Sequence, residues 1–106
     1  MNNTLRHNKL LDDILFHIGS SKNIRLWVRV VGFDEKRKIK YGIPGESDLQ
    51  GIIYPGGRML SIEVKTGKGR LTGEQKRWRN MILKFGGIHI VARSVEEVLA
   101  ELKPYL

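Results

Sequence analysis

Two helix-start signals in the last third of this 106-residue chain constrain its fold more than anything else in it. Thr72-Gly73-Glu74-Gln75 and Ser94-Val95-Glu96-Glu97 both fit the S/T-x-x-E/Q capping box, in which hydroxyl and N3 side chain satisfy reciprocal backbone donors. After the first box, Trp78, Met81, Ile82 and Phe85 fall at helical spacing, and Gly86-Gly87 stops the helix. After the second, Val95, Val98, Leu99 and Leu102 share one side of a last helix. Between them Ile88 to Ala92 is short, β-branched and strand-like. Two amphipathic helices bracketing one strand need a sheet to cover, which makes the chain an α/β protein.

The upstream residues supply that sheet. Leu10, Leu11, Ile14, Leu15 and Ile18 form one apolar stripe, predicting a helix from about Thr4 to Ile18 with Gly19 at C′. Ser20 to Asn23 are turn-forming, and Arg25 to Val31 read as a strand. Gly32 to Gly45 dissolve into charge and glycine, a basic loop with at most a short strand near Ile39–Tyr41. Asp48–Tyr54 and Met59–Lys65 are two further strands around the turn Pro55-Gly56-Gly57-Arg58. The order α-β-(β)-β-β-α-β-α predicts a small mixed β-sheet flanked by helices, one domain over residues 1–106 with no repeat or linker.

Composition narrows the partner. Nineteen Lys and Arg against eleven Asp and Glu leave a formal +8, an excess that favours a polyanion. The plainer alternative is a protein that is merely basic. Cys is absent, which excludes disulfide scaffolds, Cys-based zinc sites and thiol nucleophiles. No apolar run reaches the ~20 residues of a membrane span, and Met1-Asn2-Asn3-Thr4 does not read as a signal peptide. A soluble intracellular protein is expected.

Ile62-Glu63-Val64-Lys65 is the segment that carries chemistry. Strand alternation sends Ile62 and Val64 to the core and leaves Glu63 and Lys65 together on the other face. Such a pair is either a surface ion pair or a metal ligand beside a cation that orients water. A four-residue hairpin loop between Tyr54 and Met59 would place Asp48 opposite Lys65 and Gln50 opposite Glu63. Asp48 and Glu63 then become diagonal neighbours with Cβ atoms roughly 7 Å apart. Two adjacent carboxylates repel and tend to hold a proton unless a divalent cation sits between them. Hard oxygen ligands and the lack of Cys favour Mg²⁺ or Mn²⁺. His7, His17 and His89 show no ligand spacing and are read as surface or structural residues.

Gly45-Glu46-Ser47-Asp48, then Ile62 through Thr72, then Glu74-Gln75, together with Gly86-Gly87-Ile88 and Val91 through Glu97, resemble the VRR-NUC family of the PD-(D/E)XK nuclease superfamily. The resemblance covers most of the chain, to about Leu99, and implies a minimal PD-(D/E)XK core and a divalent-metal-dependent nuclease. It implies Asp48 and Glu63 as metal ligands, the Val64 carbonyl as a third, and Lys65 positioning the attacking water. Gln75 matches the family's helix glutamine near the site, and it is also the N3 residue of the capping box. The chain departs from the family at three places. Ser47 replaces the usual proline, Arg29-Val30-Val31-Gly32 replaces an Arg-Asn-Asn-Thr-Gly stretch, and the first helix has no glutamate. That helix offers Asn8, Asp12 and Asp13 instead, of which Asp12 or Asp13 either substitutes or faces solvent.

Gly67-Lys68-Gly69 opens neither a P-loop nor a dinucleotide fingerprint. It reads as a basic loop near a nucleic-acid backbone, with Lys68, Arg70, Lys76, Arg77 and Arg79 contacting phosphates or simply solvated. Trp78 lies on the apolar stripe and belongs to the core, whereas Trp27 shares a strand face with Arg25 and Arg29 and suits exposure or an interface. The expected activity is metal-dependent cleavage of DNA, branched or junction-type, by a homodimer in the cytoplasm of a bacterial or phage-infected cell. The alternatives are a non-catalytic basic DNA-binding module of the same fold and a basic ribonucleoprotein component.

Overall fold

The structure, a computed structural model, describes residues 2–106. Its element order is α1 (Asn3–Gly19), β1 (Ile24–Val28), β2 (Gly32–Asp34), β3 (Ile39–Tyr41), β4 (Leu49–Ile53), β5 (Arg58–Val64), α2 (Gly73–Lys84), β6 (Ile88–Ala92), α3 (Val95–Leu102) and a closing 3-10 turn, Lys103–Tyr105. The main sheet runs β1-β4-β5-β6, antiparallel except for the last pair, which is parallel and bridged by α2. This is the small mixed sheet flanked by helices that the sequence predicts.

Strand alternation divides the sheet into two faces. Leu49 and Ile53 on β4, Leu60, Ile62 and Val64 on β5, and Ile90 and Ala92 on β6 point to one side. There they meet Ile14 and Ile18 of α1 and Val98 and Leu102 of α3 in a single apolar cluster. The other face carries Ser61 and Glu63 and is covered by α2 over β5 and β6, with Trp78 and Ile82 buried beneath the helix. On β1 and β4 that face stays open: Trp27 is 42% exposed and Ile52 44%.

Several boundaries differ from the sequence reading. The first helix runs through Gly19, capped by Asn2 at its start and by Ser20 in a right-handed conformation at its end, so Gly19 is not a left-handed C′ residue. The first strand stops at Val28, leaving Val30 and Val31 exposed. The basic loop is a second two-stranded sheet, β2 with β3. Asp34 closes its turn by accepting from the amides of Lys36 and Arg37, and Lys38 takes the left-handed conformation there. The short strand expected near Ile39–Tyr41 is therefore present as β3, while its partner β2 has no hydrophobic periodicity to mark it in the sequence. Phe85 ends α2 as its C-cap and is exposed instead of completing the apolar stripe.

The hairpin register also shifts. Gly57 donates to the Ile53 carbonyl, and Tyr54 turns its N–H to the Asn23 carbonyl, so the loop is Tyr54–Gly57 and Arg58 joins the ladder. Leu49 pairs with Ile62 and Gln50 with Ser61. Continued by one position, this register sets Asp48 opposite Glu63, not Lys65, and replaces the expected diagonal by a direct pairing. The shift is by two, so every side chain keeps its face.

Candidate active site

The acidic pair is built by two chain segments that the sheet forces together. Asp48 immediately precedes β4, and its carbonyl still accepts from the Arg29 amide at 3.0 Å. Its carboxylate Oδ2 accepts from the Val64 amide at 2.9 Å, clamping it against the end of β5. Glu63 lies on the same face of β5, only 4% exposed. Lys65 Nζ stands 4.0 Å from Glu63 Oε1, and Arg29 Nη2 3.8 Å from Asp48 Oδ1. Thus Asp48, Glu63 and Lys65 converge as the alternation argument predicts.

Buried next to a second carboxylate, Glu63 is pushed up to about 8, first by burial and then by the Asp48 charge, with Lys65 and Arg29 opposing. Glu63 Oε2 is buried with no partner. A buried oxygen without a donor, on a carboxyl close enough to Asp48 to share a hydrogen bond when one of the two is protonated, is a donor arrangement a hard divalent cation takes. Among the described residues, no three His, Cys, Asp or Glu side chains form a complete cage, so further donors would be the Val64 carbonyl and water.

α2 supplies Gln75. Thr72 caps the helix, its hydroxyl accepting from the Gln75 amide while Gln75 Oε1 accepts from the Thr72 amide. The other end of the same side chain, Nε2, donates to Glu63 Oε1 at 3.3 Å. Gln75 is thus at once the N3 residue of the capping box and a hydrogen-bonded neighbour of Glu63. The second box is looser: Ser94 accepts from the Glu97 amide, but Glu97 reaches back to the Arg93 amide, one residue beyond the cap.

The loop ahead of Asp48 is held by buried polar contacts. Glu46 accepts from the Ile43 amide and from Gln50 Nε2, and Arg29 Nη1 donates to the Glu46 carbonyl. Gly45, at φ +79°, lies against the α2 backbone at Glu74, where a Cβ has no room. Ser47 is fully buried, its hydroxyl donating to the Leu49 carbonyl and receiving that of Ser61. Ser61 in turn accepts from Trp78 Nε1 and meets His89 Nδ1 at 2.8 Å. Burial, then Arg79, pushes His89 down to about 4.

Sequence reasoning missed His7. From α1 its Nε2 approaches Asp48 Oδ2 at 3.3 Å, and with Asn3 and Thr4 it walls a cleft of about 450 Å³ over Asp48, Glu63, Lys65 and Gln75. The expected substitutes play no such part: Asp13 pairs with Lys9 at the surface, and neither Asn8 nor Asp12 lines the cleft. The available signal was spacing: His7 lies three and four residues before Leu10 and Leu11, on the same side of α1, although spacing alone does not name its partner. Arg93 was missed as well. Its guanidinium donates to the carbonyls of Gly67 and Gly69, bracing the glycine loop at the cleft's edge. Of the basic candidates, Lys68, Arg70, Lys76 and Arg77 are exposed, Lys68 and Arg70 on either side of cleft-lining Gly69 and Lys76 next to cleft-lining Gln75, while Arg79 is half-buried and donates to Asn80.

A mixed sheet presenting two facing carboxylates and a lysine at its open end defines a small α/β domain of nuclease type. The VRR-NUC domain matches residues 1–96, and the chain belongs to the VRR-NUC family. Membership places it among nucleases, with DNA as the substrate class. No curated protein and no solved structure matches it significantly.

Proposed function

We propose that this chain is a divalent-metal-dependent, structure-selective endodeoxyribonuclease, cutting branched or junction DNA as a homodimer. The observation that carries the reading is the Asp48–Glu63 pairing, with a buried Glu63 oxygen that has no donor and a lysine alongside. Asp48, Glu63 and the Val64 carbonyl would hold Mg²⁺ or Mn²⁺. Such an ion supplies an activated water and offsets charge on the scissile phosphate.

The remaining work falls to the protein's own groups. Lys65 lies 16% exposed by its side chain, far enough out to meet a phosphate oxygen or orient water, and its charge lowers the cost of ionising Glu63. Gln75 fixes the Glu63 rotamer by donating to Oε1. The Val64 amide and His7 fix Asp48. Lys68, Arg70, Lys76, Arg77 and Arg79 bind phosphates around the cleft. A symmetric pair of such small domains would present two cutting sites to two strands.

The test is cleavage of duplex, flap, fork and four-way DNA with Mg²⁺ or Mn²⁺, omitting metal as control. Glu63→Gln and Lys65→Ala should each abolish cutting, a loss of at least about 100-fold, while binding persists. Cutting that survives both substitutions overturns the assignment. Sedimentation of the free protein checks the dimer, and a monomer at assay concentration removes that part.

A further inference from the structure

Residues on the catalytic face form rows across the sheet. Arg29 lies beside Asp48, which faces Glu63; one row below, Trp27 pairs with Gln50, and Gln50 with Ser61; one row further, Arg25 pairs with Ile52. Over Ser61 and Glu63 this face is roofed by α2, but over β1 and β4 it is bare. Trp27 therefore presents an aromatic ring about 8 Å along the backbone lattice from Asp48, on the same side of the sheet.

The exposed charges beside Trp27 are basic, while the nearby carboxylates of Glu46 and Asp48 are buried and partnered by Gln50 and Arg29. Arg25 on β1 and Arg29 just past its end flank the ring, and neither β1 nor β4 contains an acidic residue. Beyond Arg25 the face runs into a second cleft of about 390 Å³, walled by Lys22, Arg25, Ile52 and Tyr54, with Tyr54 72% exposed. Cation, aromatic, cation, aromatic thus alternate outward from the acidic pair.

We propose that this bare face of β1 and β4 is a track for one unpaired DNA strand leaving the cutting site, with a base stacked on Trp27 and flanking phosphates on Arg29 and Arg25. Stacking on an aromatic side chain tolerates any base, because every base has a π-face, and basic neighbours hold the backbone. A duplex keeps its bases inside the helix and has none to offer Trp27. The track therefore makes the nuclease favour substrates with a single-stranded arm or a strand splayed at a branch. The inference rests on the nuclease reading above and names the strand state that its site prefers.

Binding is measured with the whole protein in chelator, so that no cutting intrudes. Fluorescence anisotropy compares an oligothymidine, a forked duplex and a blunt duplex for wild type, Trp27→Ala and Trp27→Phe. Trp27→Ala should weaken binding to oligothymidine and fork about tenfold, with Trp27→Phe staying close to wild type and blunt duplex indifferent to both. Equal losses on all three probes, or none on any, overturn the track. Oligothymidine should also quench wild-type tryptophan emission but not that of Trp27→Phe, whose remaining Trp78 is buried. This arm stands even where Trp27→Ala folds poorly. A wild-type dimer that Trp27→Ala converts to monomer assigns the face to a second copy instead and overturns the track. A preference for unpaired strands without metal-dependent cutting would refute only the nuclease reading; cutting without that preference would refute only the track.

Discussion

At the scale of single residues, one carboxyl, that of Glu63, is held in a place unfavourable to its charge. The folded value of Glu63, about 8, lies above its ordinary value of 4.5. Protonated Glu63 is therefore preferred by the fold, so its contribution to stability is complete below pH 4.5 and is lost as pH rises through about 8. Urea melts in chelator should show wild type falling relative to Glu63→Gln between about pH 5 and 9, by on the order of 2 kcal/mol. Parallel profiles for the two proteins would contradict this. Ser47 makes a second residue-scale prediction. Ser47→Ala strips the Leu49 carbonyl of a donor and Ser61 of an acceptor in a fully buried position, and should cost about 1–3 kcal/mol in the same melts. An unchanged midpoint would show that the hydroxyl chain does not hold the Asp48 loop.

Residues that alternate strictly were legible from the sequence, and those placed by tertiary contact were not. The faces of Glu63, Lys65 and Asp48 follow from a period of two, and so survived a register error in the hairpin. His7 and Arg93 gave no such handle. His7 reaches Asp48 from an element 41 positions away, and Arg93 braces a loop 24 to 26 positions away. No local pattern encodes contacts of that length.

At the scale of elements, α2 is both a cover for the sheet and the mount for Gln75. Thr72→Ala removes its cap and should cost about 1 kcal/mol of stability. It should also slow cutting, because the same box orients the side chain that touches Glu63. Stability loss with full activity would separate the two roles. Helix boundaries here were readable because capping boxes and glycine stops are local chemistry. Of the β2–β3 pair only the strand at Ile39–Tyr41 was readable, since its partner is set by the Asp34 turn and carries no buried stripe.

At the scale of the whole molecule, the net charge of +8 dictates how binding responds to salt. Each phosphate neutralised adds about 0.9 to the slope of log affinity against log salt on duplex DNA. Lys76→Ala and Arg77→Ala, on the exposed side of α2, should each lower that slope by about 1. A slope unchanged by either would place the DNA away from α2. The element order and a mixed sheet flanked by helices were visible in the alternation of helix and strand signals, whereas the open half of the Glu63 face depends on how far α2 extends over the sheet, which no pattern announces.

The proposed chemistry requires Asp48 and Glu63 to hold a divalent ion jointly. Electron paramagnetic resonance of Mn²⁺ titrated into the protein at about pH 8 tests it most directly, because bound ion loses the sharp signal of the free one. Wild type should bind one ion per chain, with Asp48→Asn and Glu63→Gln each weakening binding at least about tenfold. Free Mn²⁺ signal undiminished by wild type, or affinities equal across the three proteins, would contradict it.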